Sequence, residues 1–287
     1  MNIVITGSSG FIGSRLVQIL SNSNKFKLLC ITRSESKQKK YIKCNLNKID
    51  NYKKKIINFK PDVLIHLAWD KIPNFTKSQS IKNERMSKNL INFFLLNTKI
   101  KKIIVAGSCF EIKAPNNKFK HFVKAKKNIL KFLKKKAKNN FNFHWLRIFY
   151  VYGPGQRNKS IIPHIISSIK NNKKAEIKEP NNRHDFIYID DVCEAIILAC
   201  EKNPKSNILQ IGTGKMTSIK KIIKNLEKIS KKKLIIENNK STQKKNLILR
   251  ARIKNTKKNY KWFAKISIKD GLKKTFKEYK EMNKLKL

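Results

Sequence analysis

Acidic residues are scarce in this chain. There are 18 against 67 lysines and arginines, a formal net charge of +49 over 287 residues. Arginine is scarce as well, supplying only 8 of those cations. A strongly basic chain invites a nucleic-acid or anionic-membrane partner. Lysine without arginine forks or interleaved aromatics reads bases poorly, however. Lysine is spread here over almost every surface-type segment, alongside asparagine and isoleucine. All three have A/T-rich codons, so the charge reads as compositional drift, and no sequence-specific nucleic-acid partner is expected. An RNA-binding role is an alternative that rests on charge alone. The positive field still favours a polyanionic substrate.

Long apolar runs are also missing. None reaches the roughly 18 residues of a membrane span, so no membrane partner is expected. The start, MNIVITGSSG, has neither the basic opening nor the small-residue cleavage site of a signal peptide. The five cysteines (Cys30, Cys44, Cys109, Cys193 and Cys200) are odd in number and include no CxxC pair. That pattern argues for reduced thiols in a cytoplasm, without a disulfide frame, a zinc site or another metal centre.

What is present is alternation, in a chain long enough for a large core in one or two domains. Strand-like runs are NIVIT (2–6), KLLCIT (27–32), DVLIHLA (62–68), KIIVAGS (102–108), FHWLRIF (143–149) and NILQIG (207–212). Helix-like stretches fall at 11–22, 49–58, 80–97, 122–138, 160–171 and 190–202. Strands alternating with helices predict an α/β fold with a parallel sheet covered on both faces. After about residue 215 the pattern turns to short helices around one strand-like run, KLIIE (233–237), which predicts a smaller second lobe. GPGQRNKS (153–160) is the loop at which the chain is expected to leave the sheet.

The strongest local signal is VITGSSGFIGSRL. Gly7, Gly10 and Gly13 follow a strand and open a helix, the arrangement that lets a backbone approach a pyrophosphate. Phosphates would lie at the helix N-terminus. Candidate cofactor contacts in this loop are Gly7, Ser9, Gly10, Phe11, Ile12 and Gly13. An acid about 20 residues further on would hold the ribose 2′-OH of NAD. Arg33 stands there, between Thr32 and Ser34, with no acid among the three. A guanidinium suits a 2′-phosphate, so NADP is the expected cofactor, with NAD the alternative.

Taken together, these segments resemble the extended short-chain dehydrogenase/reductases, the NAD-dependent epimerase/dehydratases of nucleotide sugars. TGSSGFIG, PDVLIHLAW (61–69), NERMSKNLINFF (83–94), VAGSCFE (105–111), LRIFYVYGPGQ (146–156), RHDFIYIDDV (183–192), QIGTGKMTSIKKI (210–222) and SIKDGLKKTFKEY (267–279) carry the likeness nearly end to end. It implies a Rossmann-type doubly wound sheet in residues 1–158, joined by about 190–214. The smaller C-terminal α/β lobe, 159–189 with 215–287, would hold the sugar nucleotide. It also implies Leu67, Ala68 and Asn83 beside the cofactor, Ser108 as the hydroxyl that orients the substrate oxygen, and Arg183 on the nucleotide diphosphate. Trp69, Ser108 and Tyr150 would lie near the sugar. The pairing of HLAW with GSCFE looks most like the branch that reduces 4-keto-6-deoxy sugar nucleotides.

The family's mechanism implies an acid–base tyrosine and a lysine four residues later, on one helix face. HFVKAKKNIL (121–130) puts Lys126 at the lysine and Phe122 at the tyrosine. Phenylalanine has no proton to give. Ile112 replaces the aromatic that usually follows SCFE, and Tyr150 stands where many members carry asparagine. Phe122 is also in step with Ala125, Ile129 and Leu133, as a core residue would be. Tyr150 is a candidate substitute acid. His121 is another, although one residue earlier on a helix points about 100° away. Three readings stay open: a reductase of lowered activity, a nucleotide-sugar 4-epimerase, and a silent binder of NADP and nucleotide sugars. Whether two chains pair as a homodimer through the helices at 80–97 and 122–138 is open too.

Overall fold

The computed structural model of the chain describes residues 1–33, 35–36, 38–137, 141–202, 207–236 and 248–284. Ser34 beside Arg33, Lys138 at the end of the fourth expected helix, and Glu237 of the KLIIE run lie outside the described residues. The chain divides into two compact units. The first comprises Met1–Ile148, Cys193–Gln210 and Lys258–Tyr260, and the second takes the rest. The boundary at Ile148–Phe149 falls ahead of the GPGQ loop, because a short strand just after Phe149 pairs within the second unit.

In chain order the elements are β1 (Asn2–Thr6), α1 (Phe11–Ser21), β2 (Lys27–Thr32), β3 (Tyr41–Lys43), α2 (Lys53–Phe59), β4 (Val63–His66), α3 (Lys77–Asn97), β5 (Lys102–Ser108), α4 (Lys120–Lys136) and β6 (Asn142–Ile148). There follow β7 (Tyr150–Tyr152), α5 (Ile161–Lys170), β8 (Arg183–His184), β9 (Phe186–Tyr188), α6 (Ile189–Glu201), β10 (Asn207–Ile211), β11 (Thr217–Ser218), α7 (Ile219–Ser230), α8 (Lys254–Tyr260) and α9 (Ile268–Lys284).

The sheet of the first unit runs β10-β6-β5-β4-β1-β2-β3, and the pairings from β6 through β3 are parallel. This is the Rossmann-type doubly wound order. Its direction reverses at β1 and β4, and in such sheets a ligand lies in the crevice beyond the carboxyl ends at that switch. The strands are apolar along their length because helices cover both faces. Ile3, Val4 and Ile5 of β1 and Leu64 and Ile65 of β4 are fully buried. On one face Val4, Leu64 and Ile103 pack with Leu90 and Phe94 of α3 and with Ile129 and Leu133 of α4.

In the second unit β7 pairs in parallel with β9, and β8 pairs antiparallel with β11. Asp185, wholly buried, accepts from Thr213 N at 2.8 Å, Thr213 Oγ1 at 2.6 Å, and the backbone of Gly214 and Ala251 at 2.9 Å each. That carboxylate ties the RHDF segment to two later loops. The strand expected at 233–237 is a single bridge, Ala175 to Ile236. Leu234 N donates to the Glu227 carboxylate at 3.0 Å, so its N–H does not serve a ladder.

Candidate active site

The glycine loop runs from the carboxyl end of β1 into α1, whose N-cap, Gly10, provides no side-chain hydrogen bond. The first-turn N–H groups are therefore left to the backbone and to ligands. Gly7 has φ +73°, and a Cβ on it would stand 2.7 Å from Ala68 N. A Cβ on Gly13 would stand 2.0 Å from Gly7 O. No side chain fits in this cradle, which suits the pyrophosphate of a dinucleotide. Around it, Ser9 Oγ accepts from Thr32 Oγ1 at 3.0 Å, and buried Ser8 donates to Ile31 O at 3.1 Å. Phe11 and Ile12 form the first turn of α1, half-buried.

The segment Leu67–Asp70 leaves β4 beside this loop. Below it runs a buried polar chain that the sequence reading missed. Ser87 Oγ donates to Asn83 O at 2.8 Å, so His66 Nε2 donates to Ser87 Oγ at 2.9 Å and Nδ1 accepts from Thr6 Oγ1 at 2.7 Å. His66 is thus neutral. Burial first, and the Lys126 ammonium second, push its pKa down to about 3. Asn83, expected beside the cofactor, directs its amide at the backbone of Asp70 and Gln79. Its Oδ1 accepts from Asp70 N at 2.7 Å, and its Nδ2 donates to Asp70 O at 3.2 Å and Gln79 O at 2.9 Å. Arg33, expected at a 2′-phosphate, forms an ion pair with Asp70.

Ser108 ends β5 and caps the short turn Cys109–Glu111; its Oγ accepts from Phe110 N at 3.2 Å. The same turn folds Glu111 inward. Its carboxylate accepts from Ser108 N at 2.7 Å, from Trp145 Nε1 at 2.9 Å and from Arg147 Nε at 3.2 Å, with no side-chain exposure. A buried charge needs such partners.

Phe122 and Lys126 lie one turn apart on α4, both buried. Phe122 meets Trp69 and Phe75 edge-on, each at 5.1 Å between ring centres. Lys126 Nζ donates to Ala106 O at 2.7 Å and sits 4.1 Å from the Trp69 ring centre and 5.9 Å from that of Phe122. Burial pushes the ammonium down to about 8, against the opposing pull of Glu111. Trp69, Phe122 and Lys126 thus pack together, with Lys126 held at Ala106, two residues before Ser108 on β5. His121 turns away and lines a groove between α3 and α4 with Ser80, Glu84 and Lys124. In the second unit Tyr150 stacks on His184, ring centres 4.1 Å apart, and exposed Arg183 donates to Met216 O at 3.2 Å. Among the described residues no helix is long and apolar enough to cross a membrane.

Comparison with known proteins agrees with the fold. The chain is 29% identical over 265 residues to the ADP-L-glycero-D-manno-heptose-6-epimerase of Brachyspira hyodysenteriae, covering 80% of this chain and 81% of that one. It is 27% identical over 243 residues to a CDP-abequose synthase of Salmonella typhimurium, covering 78% and 79%. The fold matches that of the UDP-glucuronic acid 4-epimerase of Bacillus cereus, solved with UDP-glucuronic acid and NAD. There the TM-score is 0.83 at 23% identity, covering 98% of this chain and all of that one. Residues 3–212, which include the glycine loop, Ser108, Phe122 and Lys126, match the NAD dependent epimerase/dehydratase family, and the chain belongs to that family.

Proposed function

We propose that this protein is an NAD(P)-dependent oxidoreductase of nucleotide sugars, and within that class a reductase of a 4-keto-6-deoxy sugar nucleotide that works without a tyrosine acid. The observation that carries this reading is the site around Lys126. Lys126 at Ala106 O, the hydroxyl of Ser108 at the end of β5 and the glycine cradle support it, and so does the packed phenylalanine at the proposed tyrosine position. Family membership and the likeness to a CDP-abequose synthase support a nucleotide sugar as substrate.

The nicotinamide supplies the hydride when the cofactor is bound. Residues of the chain do the rest. Ser108 Oγ, already accepting from Phe110 N, keeps its hydrogen for the substrate oxygen. Lys126, held at Ala106 O, presents its remaining N–H groups to the nicotinamide ribose. Phe122 keeps an aromatic wall beside Trp69 and donates nothing. Lack of a general acid costs about 10²–10⁴-fold in rate, so proton delivery falls to water and turnover is slow. Arg183 is the proposed ligand of the substrate diphosphate, and Arg33 that of an NADP 2′-phosphate. Five buried cysteines, none joined in a disulfide, suit a reducing cytoplasm.

Phe122 also favours a second reading, a silent binder of the same ligands. A 4-epimerase is the rival within the enzyme class, and a cofactor retained through purification would point to it. The test is incubation with NADPH or NADH and a panel of 4-keto sugar nucleotides, following absorbance loss and product identity. Slow reduction of one panel member is the expected result. Binding of both ligands without turnover selects the silent binder, and failure to bind either cofactor overturns the reading.

A further inference from the structure

We propose that Asp70 is a specificity-determining residue for the cofactor: by holding Arg33 it limits the preference for a 2′-phosphorylated dinucleotide. The inference rests on the reading of the glycine loop as a dinucleotide site.

Three observations carry it. First, Arg33 follows β2 and Asp70 follows β4, and β1 lies between those strands. The ion pair therefore crosses the carboxyl end of β1, above the loop in which Gly7 abuts Ala68. A dinucleotide in the crevice beyond that end meets this pair.

Second, the two partners are unequally fixed. The Arg33 side chain is 74% exposed and that of Asp70 31%. Asp70 is clamped by buried Asn83 through both its N–H and its carbonyl, and its other carboxylate oxygen faces Gln79 Nε2 at 3.5 Å. The mounted residue dictates where the mobile one points, so Asp70 sets the direction of the guanidinium.

Third, Arg33, Lys43 and Lys48 line a cavity of about 410 Å³ at the ends of β2 and β3, with Cys44, Asn45 and Tyr52. Lys43 is already paired with Glu35 at 2.6 Å, and Arg33 and Lys48 add two further cations. Such a lining suits a phosphate monoester, whose charge at neutral pH is about −1.5 to −2. Asp70 opposes that anion twice. It neutralises the arginine, and its own charge repels the phosphate. NADH lacks the phosphate and does not compete for Arg33.

The test is calorimetric titration of NADPH and NADH into the wild type, Asp70→Asn, Arg33→Gln and the double variant. Asparagine preserves the backbone bonds to Asn83, and unchanged thermal melting checks the fold. Asp70→Asn is expected to raise the NADPH-to-NADH affinity ratio by about fivefold, the upper range for an exposed ion pair. In the Arg33→Gln background the same change is expected to do little, since the partner is gone. An unchanged or lowered ratio in Asp70→Asn overturns the proposal while leaving the cofactor site standing. An equal gain in both backgrounds overturns the pairing. Binding of neither cofactor by the wild type overturns the proposal together with the reading it rests on.

Discussion

Glu111 takes the backbone N–H of Ser108 at 2.7 Å while its carboxylate is wholly hidden from solvent. The turn that carries the proposed substrate hydroxyl is thereby mounted on a buried charge, which Trp145 and Arg147 also serve. The position of Ser108 and the electrostatics of Lys126 share this anchor.

Removing one partner of such a buried arrangement leaves the others unpaired. Glu111→Ala is expected to destabilise the protein by about 3–5 kcal/mol. Glu111→Gln, which keeps an acceptor, should cost clearly less. Urea denaturation of both variants measures this. Equal, small losses would mean that the carboxylate does not anchor the turn.

The glycine cradle gives a second expectation. Gly7→Ala adds a Cβ at φ +73°, 2.7 Å from Ala68 N. Strain of this kind is about 1–3 kcal/mol, and it falls where the pyrophosphate is proposed to lie. Affinity for NADH and NADPH should fall together by about tenfold, as read by fluorescence titration. Undiminished binding would move the cofactor site elsewhere.

Acid stability follows from the buried histidines. His66 and His144 are held at about 3 and about 4, chiefly by burial. Between pH 6.5 and those values the unfolded chain binds protons that the folded chain does not, so stability falls as pH falls through this window. Urea midpoints at pH 7 and pH 5 should show the loss, and His66→Gln should flatten the slope. A pH-independent midpoint would contradict the neutral Thr6–His66–Ser87 chain.

The charge of +49 is expected to act without sequence preference. Any affinity for RNA or DNA should fall steeply with salt, as counterion release requires, and differ little between oligonucleotides. A salt-resistant preference for one sequence would restore the nucleic-acid reading of the composition.

Local patterns made β1, its glycine loop and α1 legible, since strand, turn and helix follow within twenty residues. The strands β7, β8, β9 and β11, two or three residues each, are too short to show a period. Relationships across the fold were hidden as well. The sequence shows Arg33 without its partner, because Asp70 lies 37 positions away. Glu111 stood inside a quoted motif, yet its partners Trp145 and Arg147 come from β6. Phe122 showed both of its aspects in the sequence, the empty tyrosine position and the core spacing, and the aromatic contacts agree with the second.

The most direct test compares turnover of the wild type with that of Phe122→Tyr, using NADPH and a 4-keto sugar nucleotide. The new hydroxyl is carried on a ring that already packs against Trp69, so folding should be unaffected. The ammonium of Lys126, one turn away, favours the phenolate and lowers the phenol's pKa. The expected result is a rise in turnover of about tenfold or more, with an ionisation in the pH–rate profile that the wild type lacks. A wild type that already reduces the substrate briskly, with no gain in Phe122→Tyr, would contradict the account and turn attention to Tyr150→Phe and His121→Ala.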